Sequence, residues 1–186
     1  MKNKCITICR LSILIILLFS CKKGQTENNR NALIEYEEQV KIKIDKITSE
    51  NINKRVDIQE FYWGLDSLNK FNIKTLIDQH KFFFYFSYQT CSPCIQQTVE
   101  YIKEIYPDYE NDDRIIFISP DYPVRFRRNC YGKKLLTLSN GELGIPLETE
   151  NVPFIFTLNS DLVIEKLHIV NKNDFAKTSE FLKLMN

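Results

Sequence analysis

Continuously apolar runs and helix-periodic stretches follow one another in the second half of this chain. Phe82–Phe86 is apolar throughout, which is typical of a strand buried on both faces of a sheet. The next apolar positions recur at helical spacing and predict a helix stripe made of Ile95, Val99, Ile102 and Tyr106. Pro107 is expected to end that helix. Ile115–Ile118 predicts a second strand, so this stretch should form a parallel strand–helix–strand unit.

The last part of the chain predicts a pair of strands and a final helix. Phe154–Leu158 is apolar, a turn signal follows, and the alternation from Val163 to Val170 predicts a partner strand. Asn173 or Asp174 is expected to cap a helix that reaches about Leu184. A parallel unit followed by a strand pair predicts an α/β fold with a central mixed β-sheet flanked by helices.

Two other segments give weaker patterns. The apolar positions of residues 32–50 predict a helix, although the alternation of Val40, Ile42 and Ile44 also fits a strand. Residues 32–64 are assigned to an N-terminal extension whose apolar patch packs onto the main domain, residues 65–186. Glycine punctuation between residues 120 and 150 predicts turns but no clear element.

Composition excludes several classes of protein. The chain has 186 residues, of which 44% are hydrophobic and 12% aromatic, so it is expected to fold around a packed core rather than stay disordered. The formal net charge is only +1, which offers no basic surplus for binding nucleic acid.

The N-terminus has the pattern of an export signal. Three basic residues, Lys2, Lys4 and Arg10, precede the apolar residues 11–19, a run well short of the about 20 residues that span a bilayer. Residues 1–20 are therefore predicted to be a lipoprotein signal peptide. An uncleaved signal anchor, or a soluble secreted protein cut nearby, is the alternative.

Cys21 lies where the cleavage site of that signal should fall. The sequence Leu-Phe-Ser-Cys ending at Cys21 resembles a bacterial lipobox, from which only Phe19 departs. The resemblance implies lipidation of Cys21 and a durable membrane anchor. The polar residues 21–31 are predicted to be a flexible tether.

The candidate chemistry lies where the first strand runs into the first core helix. Cys91 and Cys94 stand at that junction, three positions apart. A thiol at a helix N-terminus loses its proton more easily, because unsatisfied N–H groups and the helix dipole favour negative charge there. Two such thiols can close and open a disulfide. Cys91 is expected to be the exposed nucleophile, and Cys94, one turn further, the buried resolving thiol.

These residues and the order of elements resemble the thioredoxin-like family, and in particular its extracytoplasmic TlpA/ResA-like branch. The matching motifs are Cys-Ser-Pro-Cys at residues 91–94 and the Val-Pro at residues 152–153 before the third strand. The resemblance covers roughly residues 65–186. It implies that Pro153 is cis, that the backbone of Val152 pairs with an extended substrate, and that Thr90, Ser92 and Pro93 line the same site.

The resemblance also implies an activity and partners. We expect a thiol–disulfide oxidoreductase that favours the reducing direction and needs no cofactor besides the Cys91–Cys94 disulfide. Its expected partners are a protein substrate, such as a cytochrome c maturation component or another envelope protein, and a membrane thiol electron donor. The expected location is the cell envelope, facing the periplasm or the cell exterior. Two departures from thioredoxins are Tyr85, where they place a buried acid, and Thr90, where they place tryptophan.

The same residues also allow interpretations without redox activity. A structural Cys91–Cys94 disulfide on a binding or scaffold lipoprotein is one. A zinc site is disfavoured because only Cys130, His80 and His168 remain as ligands, and no metal is expected. Cys130 is expected to be a buried apolar residue, or else a thiol of lowered pKa near the arginines at 125–128, which could also face an acidic partner.

Overall fold

The computed structural model describes residues 30–58, 60–77, 81–139 and 141–185. The predicted signal peptide, Cys21, most of the predicted tether and His80 lie outside the described residues. In the described ranges, no helix is both long enough and apolar enough to cross a bilayer.

The chain divides between Asp45 and Lys46 into two units. In the first unit, residues 30–45 are helical, and the side chains of Leu33, Ile34 and Tyr36 are exposed. The helix as a whole, α1, covers residues 30–51, which confirms the helix predicted for this segment.

The second unit is built on a seven-stranded mixed sheet with the order β2-β1-β5-β4-β3-β6-β7. The strands are β1 (Glu60–Trp63), β2 (Phe71–Asn72), β3 (Phe82–Tyr85), β4 (Ile115–Ile118), β5 (Leu135–Leu138), β6 (Phe154–Leu158) and β7 (Ile164–Ile169). The central strands β3, β4 and β5 are parallel, whereas β6 runs antiparallel to β3 and to β7. The predicted strand–helix–strand unit and the predicted strand pair are both confirmed.

Two helices cover one face of this sheet. They are α2 (Ser92–Ile105) and α3 (Phe175–Lys183), which pack against each other. Phe82, Phe84 and Phe86 share one buried cluster with the apolar stripe of α2 and with Leu182 of α3. Since neighbouring side chains of a strand point to opposite faces, Phe83 and Tyr85 belong to the other face.

Helix α2 forms where the sequence favours it. Pro93 occupies its first turn, where the missing N–H of proline costs no hydrogen bond. Its buried stripe includes Ile95, Val99 and Ile102. The helix ends before Pro107, as predicted.

Part of the sheet comes from segments in which the sequence predicted no strand. Strand β1 belongs to the segment assigned to the extension, and it pairs with β5 through Phe61 and Leu138. Strand β5 itself lies in the segment that gave no clear element. Two 3-10 helices, Val124–Phe126 and Pro146–Glu150, flank it in the chain.

The arrangement is that of a thioredoxin-like fold. Its core is the strand order β4-β3-β6-β7 with α2 between the first two parallel strands and α3 after the last strand. The predicted fold class is therefore confirmed. In this arrangement the carboxyl ends of the parallel strands and the start of β6 lie at one edge of the sheet, where the cysteines are found.

Candidate active site

The two cysteines lie at the start of α2. Cys91 occupies the N-cap position and is exposed, and Cys94 lies in the first turn and is buried. The carbonyl of Cys91 accepts hydrogen bonds from the N–H groups of Cys94 (3.0 Å) and Ile95 (3.1 Å). Both cysteines are free thiols in this structure, and their difference in exposure is the one predicted.

The environment of Cys94 disfavours its thiolate. Burial and, second, hydrogen bonding with the neighbouring Cys91 thiol together raise the pKa of Cys94 to about 12, while the positive charge of Lys172 acts in the opposite direction. Lys172 stands two residues after Val170, which belongs to the same buried cluster as Cys94. The inner thiol is therefore protonated at neutral pH and depends on its surroundings for activation.

The loop before Cys91 is folded on itself by Thr90. The Thr90 hydroxyl accepts a hydrogen bond from the Ser87 N–H (3.0 Å) and lies 3.1 Å from the Ser87 hydroxyl. Only 4% of Thr90 is exposed. Although the resemblance implied that Thr90 contacts substrate, its side chain is committed to the loop, whereas Ser92 and Pro93 are exposed.

A second link joins this loop to the end of the neighbouring strand. The backbone N–H of Tyr88 donates to Oδ1 of Asp121 at 2.8 Å. Asp121 follows β4, so its carboxylate lies at the carboxyl end of the parallel strands. The ring of Tyr88 packs edge-on against Tyr122, with centroids 5.5 Å apart.

The start of β6 reaches the same edge of the sheet. Tyr85 of β3 is opposite Phe154 of β6, so the antiparallel register places Pro153 opposite Phe86. No cis peptide bond occurs in the described residues, so Val152–Pro153 is trans and the expected cis bond is wrong. The trans isomer is the lower in energy, by about 0.5–1 kcal/mol, and it leaves the Pro153 carbonyl accepting the Val170 N–H at 2.9 Å.

The backbone N–H and carbonyl of Val152, next to Pro153, have no backbone hydrogen-bond partner within the described ranges. The residue is half-buried. Asn151, in the left-handed region at φ 51°, ends the preceding 3-10 helix and turns the chain toward Val152. Asparagine tolerates that conformation better than most residues. An extended partner could add hydrogen bonds here.

Tyr85 occupies the position of the buried acid of thioredoxins, and a carboxylate lies close to it. Burial and then the neighbouring Glu148 carboxylate raise the pKa of Tyr85, so the phenol stays protonated. The Glu148 carboxylate accepts hydrogen bonds from the N–H groups of Leu143 and Gly144, each at 2.8 Å. The buried Tyr85 and the half-buried Glu148 thus form a polar pair on the face of the sheet opposite α2.

Cys130 has the surroundings of a packed residue. It is buried, and burial raises its pKa to about 11. The alternative of a lowered pKa is therefore wrong. Burial outweighs the hydrogen bond with Tyr122, which lowers the pKa. Of the nearby arginines, Arg127 directs its guanidinium to the carbonyls of Tyr122 (2.8 Å) and Pro120 (3.2 Å).

The remaining candidate ligands are dispersed. In the part of the chain that the structure describes, no three His, Cys, Asp or Glu side chains form a group that could hold a metal ion. His168 lies 2.9 Å from the Thr178 hydroxyl and stacks on Phe181, so it joins β7 to α3.

Three residues of the site were missed by reasoning from the sequence. Asp121 had a usable signal, because it follows a strand predicted to be parallel to the strand before Cys91, and such strand ends gather ligand-binding residues. Glu148 and Lys172 had none. Each lies in a segment distant in sequence from the cysteines.

Comparison with known proteins gives distant structural likenesses. No family model and no curated protein matches the chain. Among solved structures, a candidate protein disulfide isomerase from Bacteroides thetaiotaomicron has a TM-score of 0.45 and 15% identity, over 72% of this chain and 89% of that one. An uncharacterized thioredoxin-like protein from Porphyromonas gingivalis has a TM-score of 0.45 and 16% identity, over 73% and 92%.

A third structure is a thioredoxin-like protein from Bacteroides caccae. It has a TM-score of 0.44 and 14% identity, over 81% of this chain and 56% of that one. The fold assignment itself rests on the strand order and on the placement of α2 and α3.

Proposed function

We propose that this chain is an extracytoplasmic thiol–disulfide oxidoreductase that reduces protein disulfides through Cys91 and Cys94. The observation that carries the proposal is the pairing of an exposed thiol at the N-cap of α2 with a buried thiol one turn later. An exposed thiol reaches a partner's disulfide, whereas a buried neighbour is shielded until the first bond has formed.

The reaction proceeds by two thiol–disulfide exchanges. The Cys91 thiolate attacks one sulfur of the substrate disulfide, forms a mixed disulfide, and releases the other sulfur as a thiolate. Cys94 then loses its proton to solvent and attacks the Cys91 sulfur. That step forms the Cys91–Cys94 disulfide and releases the second substrate thiolate. The substrate gains two electrons and the cysteine pair loses two.

The backbone at residues 152–153, just before β6, supports an extended polypeptide as the substrate. The free backbone groups of Val152 offer a donor and an acceptor to a segment lying alongside it. Recognition of this kind uses the main chain, so it makes little demand on sequence. Ser92 and Pro93, both exposed, would line the approach to Cys91.

A reducing cycle needs a supply of electrons from outside the chain. We propose that a membrane protein carrying a reduced dithiol restores the Cys91 and Cys94 thiols by the reverse pair of exchanges. The redox-active disulfide serves as the only cofactor in this cycle.

The location proposed for this activity is the cell envelope. Residues 1–20 would be removed, Cys21 would carry lipid, and the chain from residue 21 onward would hold the catalytic unit near the membrane, facing the periplasm or the cell exterior. Replacement of Cys21 by Ser is expected to release the protein from the membrane fraction. Continued retention with an intact N-terminus would contradict lipidation and favour a signal anchor.

The catalytic proposal is tested by trapping. A Cys94→Ser chain expressed in its own cells should accumulate disulfide-linked complexes that a reductant dissolves, because the second exchange is blocked. The matched Cys91→Ser chain and the double variant Cys91→Ser/Cys94→Ser should accumulate none. Recovery of only free Cys94→Ser chain would contradict turnover and favour a binding or scaffold protein.

A further inference from the structure

An exposed aromatic surface includes Tyr88, which stands three residues before Cys91. We define it by Tyr88, Tyr122, Val124 and Phe126. Tyr88 is 56% exposed, Val124 59% and Phe126 39%. The ring centroids of Tyr88 and Tyr122 are 5.5 Å apart, and those of Tyr122 and Phe126 are 6.1 Å apart, so the rings form one continuous patch. Contiguous exposed apolar side chains mark binding surfaces more often than scattered ones do.

This aromatic surface is held in place by polar contacts behind it. The Asp121 carboxylate accepts the Tyr88 N–H at 2.8 Å, which fixes the Cys91 loop to the segment after β4. The Arg127 guanidinium donates to the Tyr122 carbonyl at 2.8 Å and to the Pro120 carbonyl at 3.2 Å. A surface that is already ordered loses little conformational entropy when a partner binds.

A short stretch of chain links the aromatic surface to the reactive thiol. Tyr88 stands three residues before Cys91, in the loop that Thr90 closes on Ser87. Both Tyr88 and Cys91 are exposed. A polypeptide whose cysteine is bonded to Cys91 therefore brings the residues next to that cysteine toward Tyr88 and the rings behind it.

A positive charge adjoins the rings. The Arg125 guanidinium lies over the Phe126 ring, 4.6 Å from its centroid. No carboxylate of the described ranges forms an ion pair with Arg125. A carboxylate supplied by a partner would satisfy this charge, and a hydrogen-bonded Arg–carboxylate pair is stronger than a neutral hydrogen bond.

We propose that the aromatic surface, together with Arg125, selects disulfides in polypeptides whose cysteine is flanked by a large apolar residue and by an acidic residue. The apolar side chain packs on Tyr88 and Phe126, and the acid pairs with Arg125. This inference rests on the proposed function, because it names the substrate class of the same cysteine pair.

The experiment uses two synthetic peptides that differ only beside one cysteine. The first has Phe and Glu next to the cysteine, the second has Ser and Lys, and each cysteine is activated as a mixed disulfide with thionitrobenzoate. Attack by Cys91 on the peptide sulfur breaks that bond, and the coloured thionitrobenzoate thiolate leaves with the electron pair. The full chain is compared with Cys91→Ser/Cys94→Ser, whose rate gives the contribution of the other cysteines and is subtracted.

The expected result is a rate about tenfold higher for the Phe/Glu peptide. Tyr88→Ser and Phe126→Ser should each remove most of this preference. Arg125→Glu, a surface change that keeps the rings, is tested with a third peptide, in which Phe and Lys flank the cysteine, and should favour it over the Phe/Glu peptide. Leu68→Ser is the control, because Leu68 is 94% exposed and lies between β1 and β2. This variant should prefer the Phe/Glu peptide as strongly as the unmodified chain does.

A small disulfide, dithiobis(nitrobenzoate), separates this inference from the proposed function. Equal rates for both peptides, or a preference that survives Arg125→Glu and Tyr88→Ser, would overturn the selectivity if the small disulfide reacts at Cys91. Failure of the small disulfide and of both peptides to react above the double variant would overturn the proposed function and the selectivity together.

Discussion

Tyr85 and Phe154 stack across the β3–β6 pair, with ring centroids 4.6 Å apart and planes inclined by 19°. They are register partners in the sheet. Tyr85 stands six residues before Cys91, and Phe154 directly follows Pro153. The stack therefore joins β3, which leads to the cysteines, to β6, which begins next to the proposed substrate-binding backbone of Val152.

This stack and the polar pair behind it predict two separable effects on stability. Tyr85→Phe keeps the stack but removes the hydroxyl that faces Glu148, so we expect the free energy of unfolding to fall by about 1 kcal/mol. Tyr85→Ala should cost about 3–5 kcal/mol, because it also leaves a cavity. Urea unfolding measures both. Tyr62→Phe, at a half-buried position of β1, is the control, and equal losses for Tyr85→Phe and Tyr85→Ala would contradict this account.

The loop before Cys91 should depend on one hydroxyl. Thr90→Val keeps the shape of the side chain but leaves the Ser87 N–H without its acceptor, so we expect a loss of about 1–2 kcal/mol. Hydrogen exchange at the Ser87 amide should become faster. Thr90→Ser retains the oxygen and is the matched control. Unchanged exchange in Thr90→Val would show that the hydroxyl does not order the loop.

The second exchange should be limited by the protonation of Cys94. Since burial raises the pKa of Cys94 to about 12, the thiolate fraction grows about tenfold for each pH unit below that value. In a mixed disulfide at Cys91 the burial remains, so release of a bound peptide should accelerate about tenfold for each pH unit, or about hundredfold from pH ~7 to ~9. Stopped-flow decay of a fluorescent mixed disulfide measures it.

Lys172 should assist that step. Its positive charge lowers the pKa of Cys94, so Lys172→Met is expected to slow release about threefold at neutral pH. Lys183→Met, an exposed change on α3, is the control and should leave the rate unaltered. Equal release rates in the two variants would contradict a role for Lys172, and a release rate that is independent of pH would contradict a role for thiol ionisation.

His168 should make stability depend on pH. Burial lowers its pKa to about 4, whereas a histidine in the unfolded chain titrates near about 6.5. Between these values the unfolded state binds more protons, so stability is full above pH ~6.5 and falls as the pH drops toward ~4, by at most about 3 kcal/mol. His168→Gln should show a smaller change over the same interval in urea unfolding. Identical pH profiles for both chains would contradict this assignment.

The elements that the sequence predicted share strong local patterns. The continuous run at Phe82–Phe86 and the helical stripe from Ile95 to Tyr106 each identify an element without reference to its neighbours. Strand β5 was missed because its four residues lie among glycines and lysines, and only pairing with β1 and β4 defines it. Strand β1 has one fully buried side chain, Phe61, so its hydrophobic pattern was too short to predict a strand.

The site residues also divide into those with a local sequence signal and those defined only by contacts between distant segments. Cys91 and Cys94 were predicted from their spacing at the junction of a strand and a helix, whereas Pro153 was expected only through the family resemblance. The isomer of the Val152–Pro153 bond could not be read, since the two forms differ by only about 0.5–1 kcal/mol. Glu148 and the aromatic surface depend on contacts between segments distant in sequence, which no local pattern records.

The most direct test of the central claim is the reduction potential of the Cys91–Cys94 pair, measured by thiol trapping in glutathione and dithiothreitol buffers. A reducing catalyst should give a reversible transition near about −270 mV. A value near about −120 mV would contradict the reducing direction. A pair that forms no disulfide, or that resists reduction below roughly −300 mV, would contradict redox turnover and mark the pair as structural.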